Sequence, residues 1–146
     1  MIYNFLLEKN EIKPVENEIL STDVLLVQDP GLLTGKLANG LTYYLYRNSN
    51  PKDRVNMHMV VHTGSYHENE NERGLAHFLE HMLFKGTKSR SARDIAKEID
   101  SVGGVLNAFT DREFCCYYAK VLGDKLPNAI NILSDLLLHS VFDPEE

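Results

Sequence analysis

GLAHFLEHMLFKGT, residues 74–87, sets two imidazoles and a carboxylate into an otherwise apolar run. Leu75, Leu79, Met82 and Leu83 recur at helical spacing, which predicts a helix from about Arg73 with Gly86 as its stop. On that helix His77 and His81 stand four positions apart, about 40° around the axis, and project side by side. Two imidazoles so placed can grip one zinc ion through a nitrogen each. Glu80 flanks them where a carboxylate could take a proton from water whose pKa the metal lowers to ~7. The plain alternative is a solvated helix face; the Leu, Met and Phe residues around the three polar groups argue against it.

On either side the pattern is that of one domain. TGKLANGLTYYLYRN places Asn39-Gly40 between two strand-like runs, a hairpin signal because both residues tolerate positive φ. VNMHMVVHTG reads as a strand ended by Gly64, and the polar SYHENENER as a loop. A second helix starts near Ser91, with Asp94 in a capping-box position. It carries Ile95, Ile99 and Val102 as its stripe and ends at Gly103-Gly104. VLNAFTD and EFCCYYAKVL form an expected antiparallel pair. A long helix from about Asp124 shows Leu126, Ile130, Leu133, Leu137 and Val141 at helical spacing. The order β-β-β-α-α-β-β-α predicts an α+β domain, a mostly antiparallel sheet with helices packed on one face. Residues 1–33, with Val24-Leu25-Leu26-Val27, read as an N-terminal arm, and residues 34–146 as the domain.

Bulk properties narrow the function. The 146 residues are 43% hydrophobic, enough for one sizeable core. A net charge of -6 makes nucleic acid and anionic membranes poor partners. No run reaches the roughly eighteen apolar residues of a bilayer span. The start, MIYNFLLEKNE, lacks the basic region and long apolar stretch of a secretory signal. Cys115 and Cys116 are neighbours, unable to form an ordinary structural staple, which fits a reducing compartment. The cytoplasm is therefore the expected location, with export after removal of a leader as the alternative.

The stretch from Gly74 to Thr87 resembles the signature of the inverzincin zinc peptidases, the pitrilysin family that includes insulin-degrading enzyme and the mitochondrial processing peptidases. The resemblance extends in order through Asn39-Gly40-Leu41, Gly64-Ser65, Gly103-Gly104, Asn107-Ala108-Phe109-Thr110 and Tyr117-Tyr118. It implies the LuxS/MPP-like metallopeptidase half-domain fold. It also implies zinc held by His77 and His81, and Glu80 as general base. The family's third ligand is a glutamate some seventy to eighty residues past the second histidine, which falls beyond Glu146; Glu145 and Glu146 come too early for it. Held by two protein ligands, this chain alone is expected to bind zinc weakly and to show little activity. A second, related half or a partner subunit is implied by the family, and an unfinished sheet could favour homodimers. The substrate is then a peptide or unfolded protein segment added as a strand along Asn107, Ala108 and Phe109. For Asn107 and Phe109 the bland alternatives are a turn contact and core packing. The rival functions are a non-catalytic peptide-binding or scaffold subunit of the same fold, and a metal-binding module without hydrolysis.

Other candidates weigh less. His58, Val60 and His62 share one strand face and read as half-exposed polar positions rather than a second metal pair. His67, among Glu68, Glu70 and Glu72, reads as solvated. His139 sits late in the last helix, where the dipole favours positive charge. Tyr43, Tyr44 and Tyr46 read as strand packing.

Overall fold

The computed structural model describes residues 29–146, so the Val24–Val27 run and most of the expected arm lie outside the described residues. Two compact units divide between Asn50 and Pro51. The first holds a hairpin of β1 (Leu32–Lys36) and β2 (Thr42–Tyr46), paired antiparallel with Lys36 opposite Thr42. Its turn follows the Asn-Gly signal. Gly40 takes φ 91°, the Leu37 N–H donates to the Leu41 carbonyl at 2.8 Å, and Asn39 Oδ1 accepts from the Leu41 N–H at 3.1 Å. Tyr44 and Tyr46 do not pack as expected: they are 68% and 61% exposed, because alternation turns Tyr43 and Leu45 to the other face.

The second unit carries β3 (Arg54–Val61), α1 (Leu75–Leu83), α2 (Ala92–Ser101), β4 (Val105–Thr110), β5 (Cys115–Leu122) and α3 (Leu126–His139). Its three strands run in the order β3-β5-β4, both pairs antiparallel. One face of this sheet presents Val55, Met57, Met59, Leu106, Ala108, Tyr117, Ala119 and Val121 to the helices. Ile95 and Ile99 of α2, and Ala129, Ile132, Leu133 and Leu136 of α3, complete the core against it. The other face carries Asn56, His58, Val60, Val105, Asn107 and Phe109, all exposed. This is the helices-on-one-face α+β arrangement that the pattern predicts.

α2 begins as its sequence dictates. Ser91 Oγ accepts from the Asp94 N–H at 3.2 Å, and Asp94 returns a bond to the Ser91 N–H at 3.1 Å. Three details differ from the sequence reading. In α1 the buried stripe is Ala76, Glu80 and Leu83 with Met82, while Leu75 and Leu79 are 52% and 44% exposed. Apolar residues stand on every side of that helix, so periodicity alone could not choose the face. α3 starts at Leu126 after a short 3-10 turn over Gly123–Lys125 and ends at His139, which leaves Val141 outside it and half exposed. Its buried stripe runs through Leu126, Ala129, Ile132, Leu133 and Leu136, with Ile130 and Leu137 at the margin. β3 stops at Val61, before His62 and Gly64, and SYHENENER folds into two 3-10 turns at Ser65–His67 and Glu70–Glu72.

Candidate metal centre

The segment before α1 decides where that helix begins. Gly64 is buried, and a Cβ there would collide with the carbonyl oxygens of Asp111 and Arg112. That close approach lets the Ser65 and Tyr66 N–H groups donate to the same two carbonyls, at 3.2 and 2.8 Å. The loop is thereby fastened to the turn between β4 and β5. His67, expected to be solvated, accepts the Gly64 N–H on Nδ1 at 3.2 Å. Glu68 then caps α1: its two oxygens accept from the N–H groups of Ala76 and Gly74, both at 2.8 Å. Those donors, Ala76 first and Gly74 second, hold its carboxyl below the usual range. Sequence reading placed Glu68 among surface acids; the run Glu68 to Ala76 is too long for a local capping pattern to reveal it.

On α1 the imidazoles of His77 and His81 converge. Their Nε2 atoms lie 3.0 Å apart, and the rings meet edge to face with centroids 4.7 Å apart. Two nitrogens bound tetrahedrally to zinc at 2.0–2.1 Å stand about 3.3 Å apart, so a small adjustment seats one ion between them. Both side chains are exposed, which leaves the approach open. Glu80, one turn of backbone away, is 7% exposed and points to β4, where the Thr110 hydroxyl donates to its Oε2 at 2.5 Å. His77, Glu80 and His81 share an open cleft of about 590 Å³ with Ser65, Asn107, Ala108, Phe109 and Thr110. All six residues singled out from the sequence meet there.

Strand β4 forms the far wall. Among the described residues it pairs only with β5, so its other edge is free. The Ala108 N–H is engaged by Asn107 Oδ1 at 2.8 Å, a local bond that a docking strand would exchange. Phe109 is 45% exposed and packs edge to face on Phe114, not in the core. Beneath the cleft Tyr117 is 3% exposed; burial pushes its hydroxyl up to about 12, with the charges of Cys115 and Glu80 adding to the shift. Thr110 was not among the candidates, although alternation from Ala108 already puts it on the helix-facing side of the strand.

The donor set fits zinc as a pair of imidazoles, and the three-ligand shell of a catalytic site needs one more group. Among the described residues no cluster of three His, Cys, Asp or Glu side chains stands ready to hold a metal ion. Among them, too, no helix is long and apolar enough to cross a membrane. The remaining histidines stand apart: His58 stacks on Tyr118 at 5.7 Å, and His139 pairs with Asp135.

The family model for the insulinases, peptidase family M16, matches residues 43–146. A protein of Rickettsia felis named as an uncharacterized zinc protease is 47% identical over 111 residues, covering 76% of this chain and 27% of the relative. The mitochondrial-processing peptidase subunit beta of Saccharomyces cerevisiae is 47% identical over 116 residues, 80% of this chain and 25% of its own length. The crystal structure of the periplasmic protease PqqL from Escherichia coli superposes with a TM-score of 0.78 at 35% identity, over 82% of this chain and 14% of that one. The chain thus spans about a quarter or less of these relatives. The last two names are mitochondrial and periplasmic, so the relatives point to no single compartment. With a shared fold and a match running from the hairpin to the last residue, the chain belongs to the insulinase family of peptidases, family M16.

Proposed function

We propose that this chain is the metal-bearing part of a zinc-dependent endopeptidase that cleaves peptides or unfolded segments. His77 and His81 hold the ion, and a glutamate supplied elsewhere in the full-length protein completes the shell. Zinc bound there supplies Lewis acidity, lowering the pKa of water to ~7 and polarising a carbonyl.

The substrate lies along β4 as an added strand, its backbone taking the Ala108 N–H in place of Asn107 Oδ1, with Phe109 beside it. Glu80 uses Oε1, the oxygen not engaged by Thr110, to take a proton from the attacking water. As the water oxygen bonds to the carbonyl carbon and the C–N bond breaks, Glu80 returns that proton to the leaving nitrogen. A second half or partner subunit closes the cleft over the peptide.

The observation that carries this reading is the convergence of two imidazole nitrogens 3.0 Å apart beside a buried carboxylate. The test is zinc content and cleavage of an unfolded polypeptide, measured together on the full-length protein. Glu80→Gln keeps the metal and loses cleavage by about 10³-fold, while His81→Ala loses both. Normal cleavage by Glu80→Gln removes the assigned base.

A further inference from the structure

Glu80 has three side-chain torsions, and a base with that freedom spends much of its time pointing away from the proton it must take. Here its carboxylate is 7% exposed and receives one side-chain hydrogen bond among the described residues, from the Thr110 hydroxyl at 2.5 Å. A carboxylate only accepts, so the direction is fixed: Thr110 donates. The hydroxyl oxygen keeps its lone pairs, and Cys115 Sγ, in a side chain only 5% exposed, donates to it at 3.4 Å. The result is a directed chain, thiol to hydroxyl to carboxylate. Thr110 is well suited to the middle place. It is β-branched, with a stiff χ1, and it sits in a strand paired along its length with β5.

We propose that Thr110 is a positioning residue for the general base, pinning Oε2 of Glu80 so that Oε1 faces the cleft; the proposal rests on the peptidase reading above. Its location has a further consequence. Thr110 belongs to the strand whose free edge, through Asn107 to Phe109, receives the peptide. The group that aims the base and the backbone that aligns the scissile bond are therefore one rigid element. A displaced strand would disturb both together.

The test uses the full-length protein with Thr110→Val, which keeps the shape and removes the donor, Thr110→Ser, which keeps the donor, and Glu80→Gln in parallel. Expected for Thr110→Val are full zinc content, KM within about two-fold, and kcat lower by about 10- to 100-fold, the scale of a misplaced catalytic group. Thr110→Ser recovers most of that loss. In zinc-free protein, the melting-temperature shifts of Thr110→Val and Glu80→Ala combine to less than their sum, because either change removes the same bond. Additive melting shifts, an unchanged kcat in Thr110→Val, a rise in KM or loss of zinc in step with kcat, or a serine variant no better than valine would each overturn the proposal. Glu80→Gln separates the two levels. If it is inactive while Thr110→Val cleaves normally, only the positioning role fails. If it cleaves normally, the base assignment fails and the positioning role goes with it.

Discussion

Two helices of the same unit each bury a carboxylate, Glu80 of α1 and Asp135 of α3, to nearly the same degree: 7% and 9% exposed. Their surroundings differ. Asp135 Oδ2 accepts from the Thr87 hydroxyl at 2.7 Å, the Ser89 hydroxyl at 2.8 Å and the Arg90 guanidinium at 2.6 Å, while Oδ1 meets His139 Nδ1 at 3.1 Å. Arg90 is in turn bound by Glu98 and Asn131. Both oxygens of Asp135 are filled, and the segment following α1 is locked onto α3. Among the described residues, Glu80 has one filled oxygen and one free. A saturated buried carboxylate is a fastening; a half-satisfied one, beside two convergent imidazoles, leaves an acceptor open, as the proposed role of base requires. Burial alone distinguishes nothing here, and the count of donors does.

The largest stability effect should therefore come from the acid with no assigned chemistry. Removing one partner of a buried charge network strands the rest. Asp135→Ala should cost about 2–4 kcal/mol, discounted from the fully buried case because the Asp135 and Arg90 side chains keep 11% and 17% exposure. Glu80→Gln keeps an acceptor for Thr110 and should cost less than about 1 kcal/mol. Urea unfolding of both variants at pH 7 checks the contrast, and equal losses would break it.

The same contrast has a pH signature. Burial opposes ionisation of Asp135, but the Thr87 hydroxyl, then Arg90 and Ser89, outweigh it and hold the carboxyl well below the usual range. A depressed folded-state pKa means that the unfolded chain binds the proton first as pH falls. The contribution is thus complete above about pH 4, the unfolded value, and is lost progressively below it. Asp135→Asn should be less stable than the parent at pH 7 and should lose less on acidification from pH 5 to pH 2. An acid limb parallel to the parent's would show that Asp135 is not the group responsible.

What the sequence discloses divides along the same line. The hairpin at Asn39-Gly40, the Ser91–Asp94 box, the β4–β5 pair and the two-histidine spacing all depend on partners within a few residues, so each is legible. The Glu80–Thr110 bond spans thirty positions, and Asp135 reaches Thr87 across forty-eight. Nothing near either acid in the chain announces its partner. In α1 the failure has another cause: Leu75, Phe78 and Leu79 are as apolar as the buried residues, and the face was chosen by the Glu80 contact and by the small Ala76 against the sheet. Glu68 falls between these cases, six and eight residues from the N–H groups it caps.

A third acid supplies a smaller effect than Asp135 and the sharpest control. Asp94 also has more than one donor, accepting from the Ser91 hydroxyl at 2.6 Å and the Ser91 N–H at 3.1 Å, but it has fewer than Asp135 and it is exposed. Hydrogen bonds from Ser91 hold its carboxyl below the usual range, the side chain contributing most. In water those bonds compete with solvent, so removing them leaves no stranded charge. Ser91→Ala should cost about 1 kcal/mol, the ordinary worth of a helix cap, with cleavage by the full-length protein unchanged. If its loss in urea instead equalled that of Asp135→Ala, the buried fastening on α3 would owe nothing either to its additional donors or to its exclusion from water.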